Sequence, residues 1–345
     1  MNIKSPPSVF GRYGDDIETE LKSMIIGQSL PLYRMMAYHM GWLDDQGEEV
    51  HMGGGERIHS TLCLLACEAL GGEGTKALPA AAALELVHNF SLIHNDIQDG
   101  SPERYHRPTV WWVWGPAQGI NAGDGMHALA RLSLLRQTEK GMSYELALRA
   151  VETLDTACLH LCEGQYLDLT YQERVDISQD AYFQMAEGKT AALMGCATEL
   201  GALMAAADDK AVQAMSLFGR KLGIAFQVQD DIRDLWGSEN TEVPPAGSLL
   251  NKRKSLPIVY ALKSATGAEK RALGDVYFKR VMDPEDIEKV IGVLDSLGAR
   301  EFSQETADAL IQEALHALNE AGSFSNSKGI DDLADVARYL ITRDT

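Results

Sequence analysis

Apolar positions along the 345-residue chain recur with a helical period over long stretches, and period-2 alternation is almost absent. The pattern predicts helices at about 15–40, 57–71, 77–99, 119–138, 144–172, 179–205, 208–237, 255–265, 284–297, 301–321 and 329–342. Breaks between them carry glycine, proline or short polar clusters, as at Gly71-Gly72-Glu73-Gly74 and Pro244-Pro245-Ala246-Gly247. Asp208-Asp209 and Asp331-Asp332 fall at helix starts, where carboxylates cap free N–H groups and suit the helix dipole. No low-complexity linker and no repeat interrupts the series. Several central helices, rich in Ala, Leu and Met, exceed 20 residues. The expectation is all-α: one large helical bundle over residues 1–345, with 1–14 a loose N-terminal segment.

Charge narrows the function classes. Thirty-one Lys and Arg against fifty Asp and Glu give −19, which repels phosphate backbones and anionic lipid and excludes nucleic acid as a partner. The same excess suits gathering divalent cations. Five cysteines without a C-x-x-C pair make neither a disulfide framework nor a zinc site. Cys63/Cys67 and Cys158/Cys162 share helix faces and read as buried small residues. The start lacks the apolar core of a signal peptide, and no apolar run reaches the roughly 18 residues of a membrane span. A cytoplasmic protein without stable membrane insertion is expected.

Two acidic clusters stand out. Asn95-Asp96-Ile97-Gln98-Asp99 ends the apolar helix that carries Leu84 to His94, and Asp230-Asp231-Ile232-Arg233-Asp234 follows Phe226-Gln227-Val228-Gln229 on another long helix. In each, the first and fifth positions share a helix face, where like charges repel unless a cation sits between them. Mg²⁺ suits such a pair, because it takes one or two carboxylates and completes its shell with water and substrate phosphate oxygens. Asp331-Asp332-Leu333-Ala334-Asp335 has the same spacing yet opens a helix, so spacing alone reads equally as a solvated face or a cap. The first two clusters differ in that each interrupts a helix otherwise apolar, and a buried charge needs a partner or a metal.

These motifs have an order. Gly54-Gly55-Glu56-Arg57, the Leu92–Asp99 run, Pro108-Thr109-Val110, Gly164-Gln165, Gly188-Lys189-Thr190, the Phe226–Asp234 run and Arg253-Lys254-Ser255-Leu256-Pro257 resemble the trans-prenyl diphosphate synthases. The resemblance covers about residues 15–342. It implies an isoprenoid-synthase bundle, usually a homodimer, whose two Asp-rich helices line a deep apolar cavity. In that family an allylic diphosphate is bound through Mg²⁺, three ions by expectation, and ionised; isopentenyl diphosphate sits beside it on basic side chains and its double bond attacks the cation. By resemblance Asn95, Asp96, Asp99, Asp230, Asp231 and Asp234 fall at metal positions, with Asn95 standing where the family has an aspartate. Arg104, Lys189, Thr190, Gln227 and Arg253 fall at diphosphate or carbocation contacts.

The other sub-site departs from the pattern. The family's Gly-Gly-Lys-x-x-Arg-Pro reads Gly54-Gly55-Glu56-Arg57-Ile58-His59-Ser60 here, and Arg-Arg-Gly-Lys-Pro-Thr reads Arg104-Tyr105-His106-Arg107-Pro108-Thr109. Glu56, His59 and Tyr105 therefore replace a lysine and two arginines, while Arg57 and Arg107 remain nearby. Lys to Glu changes the local charge by two units, and a neutral donor bonds phosphate about half as strongly as a charged one. The favoured expectation is therefore a Mg²⁺-dependent class I terpene synthase that cyclises or quenches the cation without isopentenyl diphosphate. A chain-elongating prenyltransferase in which Arg57 and Arg107 supply the charge is the alternative, followed by a non-catalytic partner subunit and by transfer to another acceptor. Phe90, Tyr166 and Phe226, with one of Trp111, Trp112 and Trp114, are candidates for the cavity wall. Phe90, five residues before Asn95, favours a C15 substrate, with C20 allowed by the small Ser91.

Overall fold

The computed structural model describes residues 7–52, 55–237, 247–279, 281–321 and 327–342; Gly54 and the Pro244–Ala246 break lie outside them. The described chain runs α1 (Val9–Arg12), α2 (Gly14–Ile25), α3 (Pro31–His39), α4 (Ile58–Ala69), α5 (Leu78–Gln98), a hairpin of β1 (Glu103–Arg104) and β2 (Arg107–Pro108), α6 (Val110–Trp114), α7 (Pro116–Leu135) and α8 (Tyr144–Gln172). It continues through α9 (Gln179–Ala186), a π-helical turn (Glu187–Ala191), α10 (Ala192–Met204), α11 (Asp209–Trp236), α12 (Gly247–Leu250), α13 (Leu256–Ser264), α14 (Gly267–Tyr277), α15 (Pro284–Ser296), α16 (Ala299–Ala321) and α17 (Ser327–Thr342). The all-α class is as expected.

Local chemistry sets the boundaries. Ser143, Ser178 and Asp208 cap α8, α9 and α11 by accepting a backbone N–H, and capping boxes start α14 and α15. The expected 15–40 helix is two, α2 and α3, because Gly27 takes a left-handed φ of 89° and Pro31 restarts the helix at its first turn. Residues 7–14 are packed, contrary to the loose segment expected: Val9 is buried, Arg12 pairs with Glu68 and Asp332, and Tyr13 donates to Glu68. The Asp332–Arg12 pair gives the third acidic run a structural partner.

The middle of the bundle is α4, α5, α10 and α11, with α7 packed along α5 and α16 along α11. Leu62 to Cys67 of α4 and Ala80 to Leu84 of α5 are fully buried. Small residues permit the close approaches: a Cβ on Gly164 of α8 would overlap the Lys189 backbone nitrogen, and one on Gly188 would lie 2.7 Å from the His160 carbonyl. That contact presses α8 against the π-helical turn and fixes where Lys189 emerges. No described helix is long and apolar enough to cross a membrane.

Candidate active site

The C-terminal end of α5, the C-terminal part of α8, the π-helical turn, the C-terminal half of α11 and the segment just before α13 meet around a charged centre. Asp168 of α8, only 4% exposed, takes Lys189 Nζ on Oδ2 at 2.6 Å, and Arg253 Nε stands 3.8 Å from the same oxygen. Arg253 Nη2 donates to Asp99 Oδ2 at 2.5 Å, so one guanidinium joins α5 to α8, and it also feels Asp234 of α11. Gln165 donates to Gln98 at 2.9 Å and ties the two helices again. Burial works against the Arg253 charge, but the acids around it raise its pKa further.

The acid at the second position of each cluster turns inward. Asp96, 2% exposed, accepts Arg104 Nε and Nη2 on Oδ1 at 2.9 and 2.7 Å. Arg104 is held by the β1–β2 hairpin, whose turn places Tyr105 and His106 at φ 50° and 57°. Asp231 accepts the Tyr182 hydroxyl at 2.7 Å and the Leu256 N–H at 2.8 Å on Oδ2, and Gln227 Nε2 at 3.0 Å on Oδ1. Thr190 donates to the other end of that Gln227 amide. Burial lifts the Asp231 carboxyl to about 7 against the pull of these donors. Asp230 pairs with Arg233 one turn on, and Asp234 is half-buried on the same face of α11. Thus Asp99, Asp230 and Asp234 form the half-buried part of the centre, Asn95 is half-buried one turn before Asp99 on α5, and Asp96 and Asp231 are bonded into the walls.

The donor set suits a hard cation with a diphosphate. Gln165 Oε1 and Arg253 Nε are buried without a hydrogen bond among the described residues, one lacking a donor and the other an acceptor. A water-bearing ion and a phosphate oxygen would supply what each lacks, and the carboxylates offer the oxygen ligands Mg²⁺ takes.

The altered basic residues lie at the start of α4, just before it, and in the β1–β2 hairpin. Glu56 accepts the Tyr339 hydroxyl of α17 at 3.0 Å. Arg57, in left-handed conformation at φ 51°, pairs with Glu18 at 3.1 Å and Glu85 at 3.5 Å. Arg107 gives Nη1 and Nη2 to the Tyr38 and Leu43 carbonyls at 3.1 Å each and lies over the Tyr38 ring. Both arginines expected to replace the missing charge are therefore engaged in the fold. Tyr105 is 55% exposed. His59 is buried and its ring centroid lies 4.7 Å from that of His88.

Of the cavity candidates, Phe90 is 6% exposed with its ring 4.6 Å from His127 of α7, Ser91 bonds back to the His88 carbonyl, and Phe226 is half-buried against the core. Tyr166 is 68% exposed on the outer face of α8 and lines nothing internal, because it sits one residue beyond the inward-facing Gln165. The sequence reading missed Asp168, Tyr182, Glu85 and His88. Glu85 and His88 interrupt an apolar helix just as Asp96 does, and Asp168 shares the Gly164–Gln165 face of α8; those signals were available.

Residues 40–294 match the family model described as Polyprenyl synthetase. The chain belongs to the polyprenyl synthetase family. It is 39% identical over 292 residues to a geranylgeranyl diphosphate synthase of Mycobacterium tuberculosis, covering 84% of this chain and 82% of the relative. It is 34% identical over 313 residues to a (2E,6E)-farnesyl diphosphate synthase of Mycobacterium bovis, covering 90% and 85%. Its fold matches the crystal structure of a polyprenyl synthetase from Streptomyces coelicolor A3(2) with a TM-score of 0.89 at 31% identity, over 97% of this chain and 99% of that one. The isoprenoid synthase fold is therefore shown, and the protein is an enzyme acting on prenyl diphosphates, of a family generally dependent on Mg²⁺.

These relatives overturn the favoured expectation from sequence. The similar proteins are geranylgeranyl and farnesyl diphosphate synthases, which elongate chains, and not terpene synthases acting without isopentenyl diphosphate. The inference from charge took no account of direction: the Glu56 carboxylate is oriented by the Tyr339 hydroxyl of α17.

Proposed function

We propose that this protein is a chain-elongating trans-prenyltransferase that condenses isopentenyl diphosphate with an allylic prenyl diphosphate. The observation that carries the reading is the Asp99–Arg253–Asp168–Lys189 cluster, where three helices bring acids and cations to one point. Asp99, Asp230 and Asp234, with the Asn95 amide oxygen, would hold Mg²⁺, three ions in this reading, and that charge would help to neutralise the leaving diphosphate. Lys189, Arg253 and Thr190 exchange their internal partners for its oxygens, which stabilises the charge that develops as the allylic C–O bond breaks. The double bond of isopentenyl diphosphate then forms the new C–C bond, and the tertiary cation this leaves loses its C2 proton to the released diphosphate, which restores a double bond in the lengthened chain. Asp96 and Asp231 hold the motif geometry through Arg104, Gln227 and Tyr182.

Phe90 closes the cavity floor and favours a C15 or C20 product. A homodimer is supported by the exposed apolar residues of α6, α7 and α8, among them Trp112, Leu132, Tyr144 and Leu148. Asp230→Ala tests the metal assignment: turnover and Mg²⁺-dependent binding of inorganic pyrophosphate should both vanish. Survival of either refutes it.

A further inference from the structure

The seam between α7 and α8 carries a cluster that the reaction does not use. His127 projects from α7, and Asp155 and Cys158 stand one turn apart on α8. One ring nitrogen of His127, one carboxylate oxygen of Asp155 and Cys158 Sγ all lie within 4.8 Å of one another. A cation already sits among them. Arg131, one turn along α7, donates Nε to the two Asp155 oxygens at 2.7 and 2.9 Å, and its Nη2 stands 3.2 Å from His127 Nε2. A guanidinium only donates, so the imidazole nitrogen facing it is the unprotonated one. Carboxylate and imidazole are therefore aimed at one positive centre, with the buried Cys158 beside it. Burial, then Arg131, lowers the His127 pKa and keeps that lone pair free. The other titratable groups nearby are His94 of α5, Asp124 of α7 and Cys162 of α8.

Imidazole, carboxylate and thiolate are the ligand types that zinc takes, and in a tetrahedral site their donor atoms lie about 3.3–3.8 Å apart. Side-chain rotation closes the present spacing to that value. The Arg131 and Asp155 side chains keep 36% and 40% of their exposure, so the guanidinium has water to move into. A thiolate selects against Mg²⁺, so the ion of the reaction does not compete here. We propose that His127, Asp155 and Cys158 form a site for a thiophilic divalent ion, zinc by its ligand set, which enters by displacing Arg131. As the sulfur–metal bond forms, the Cys158 S–H proton passes to solvent. Burial and Asp155 hold that thiol up at about 12, so each ion bound releases one proton, and binding tightens about tenfold per pH unit.

The site reaches the reaction through Phe90. The His127 ring lies 4.6 Å from the Phe90 ring, tilted by 38°. A metal-bound imidazole cannot turn away, so it braces Phe90 from behind and stiffens the cavity floor. This consequence, unlike the site itself, rests on the chain-elongation reading.

The test titrates cobalt(II), then zinc, into the full chain held with excess Mg²⁺ and inorganic pyrophosphate, which fill the Asp-rich centre. The natural protein should take one cobalt per chain with an intense thiolate-to-cobalt charge-transfer band, and zinc should abolish the band. Cys158→Ser should lose the band and Cys162→Ser should keep it, each checked by its thermal melt. Arg131→Gln removes the competing cation and should bind zinc about five- to tenfold more tightly. No band in the natural protein, a band that persists in Cys158→Ser, or a band in Arg131→Gln alone overturns the site. With farnesyl and isopentenyl diphosphates as substrates, zinc at the concentration that fills the site should shift the products toward shorter chains in the natural protein and not in Cys158→Ser. Unchanged products beside an intact band overturn the brace on Phe90 and leave the site standing. No longer diphosphate under any condition, with the band intact, overturns the elongation reading and leaves the site standing.

Discussion

Asp168→Asn removes the acid that Lys189 and Arg253 share while keeping its shape. At 2.6 Å, with an effective dielectric of about 20, the Lys189–Asp168 attraction is about 6 kcal/mol before desolvation is subtracted. Breaking a buried pair by deleting one partner costs about 3–5 kcal/mol, because the other charge stays buried alone. The Lys189 and Arg253 side chains keep 18% and 28% of their exposure, so water recovers part of that cost and the lower end applies. The expected destabilisation is about 3 kcal/mol, about two powers of ten in the folding equilibrium. Guanidinium chloride unfolding followed by circular dichroism measures it. Repeating the titration with Mg²⁺ and inorganic pyrophosphate should at least halve the gap between variant and natural protein, since the anion returns a counter-charge to both cations. A loss below about 1 kcal/mol refutes the burial argument. A gap unchanged by pyrophosphate refutes the assignment of Lys189 and Arg253 to the diphosphate.

Other perturbations probe other parts of the site. Tyr182→Phe leaves Asp231 with two donors and should cost about 1–2 kcal/mol; it should also raise the Mg²⁺ concentration for half-maximal activity several-fold, which a purely structural loss would leave unchanged. Phe90→Ala should lengthen the product by at least one C5 unit, read by chromatography of the dephosphorylated alcohols, and an unchanged product removes Phe90 from the cavity floor. The depressed His39 and His88 mean that the unfolded chain binds more protons between pH 6.5 and about 3. Stability should therefore fall as pH drops through that window, and His39→Gln should make the fall shallower by up to about 1.4 kcal/mol per pH unit. Parallel curves for the two proteins would show that His39 titrates normally.

The helices of the bundle were legible because long apolar periods leave little choice of secondary structure. The expected 179–205 helix runs without a break as α9, the π-helical turn and α10; what periodicity did not reveal was the local π geometry at Glu187–Ala191. The β1–β2 hairpin was hidden because Tyr105 and His106 carry the left-handed turn in place of the usual Asn-Gly. At the site, the two acidic clusters were visible as charges interrupting apolar helices. Which way each carboxylate points was not, because Asp96 and Asp231 take their partners from Arg104, Tyr182 and Leu256, residues on other elements. The same limit hid the orientation of Glu56, whose partner Tyr339 lies 283 positions along the chain, with no local pattern connecting the two.

The central claim is that an allylic diphosphate is elongated with isopentenyl diphosphate despite Glu56, His59 and Tyr105. Purified enzyme with Mg²⁺ is given geranyl or farnesyl diphosphate, each alone and each paired with isopentenyl diphosphate, and all products are resolved by mass spectrometry. The account predicts longer prenyl diphosphates and released pyrophosphate only in the paired reactions. Hydrocarbon or alcohol from the allylic diphosphate alone, with nothing longer when isopentenyl diphosphate is added, would contradict it.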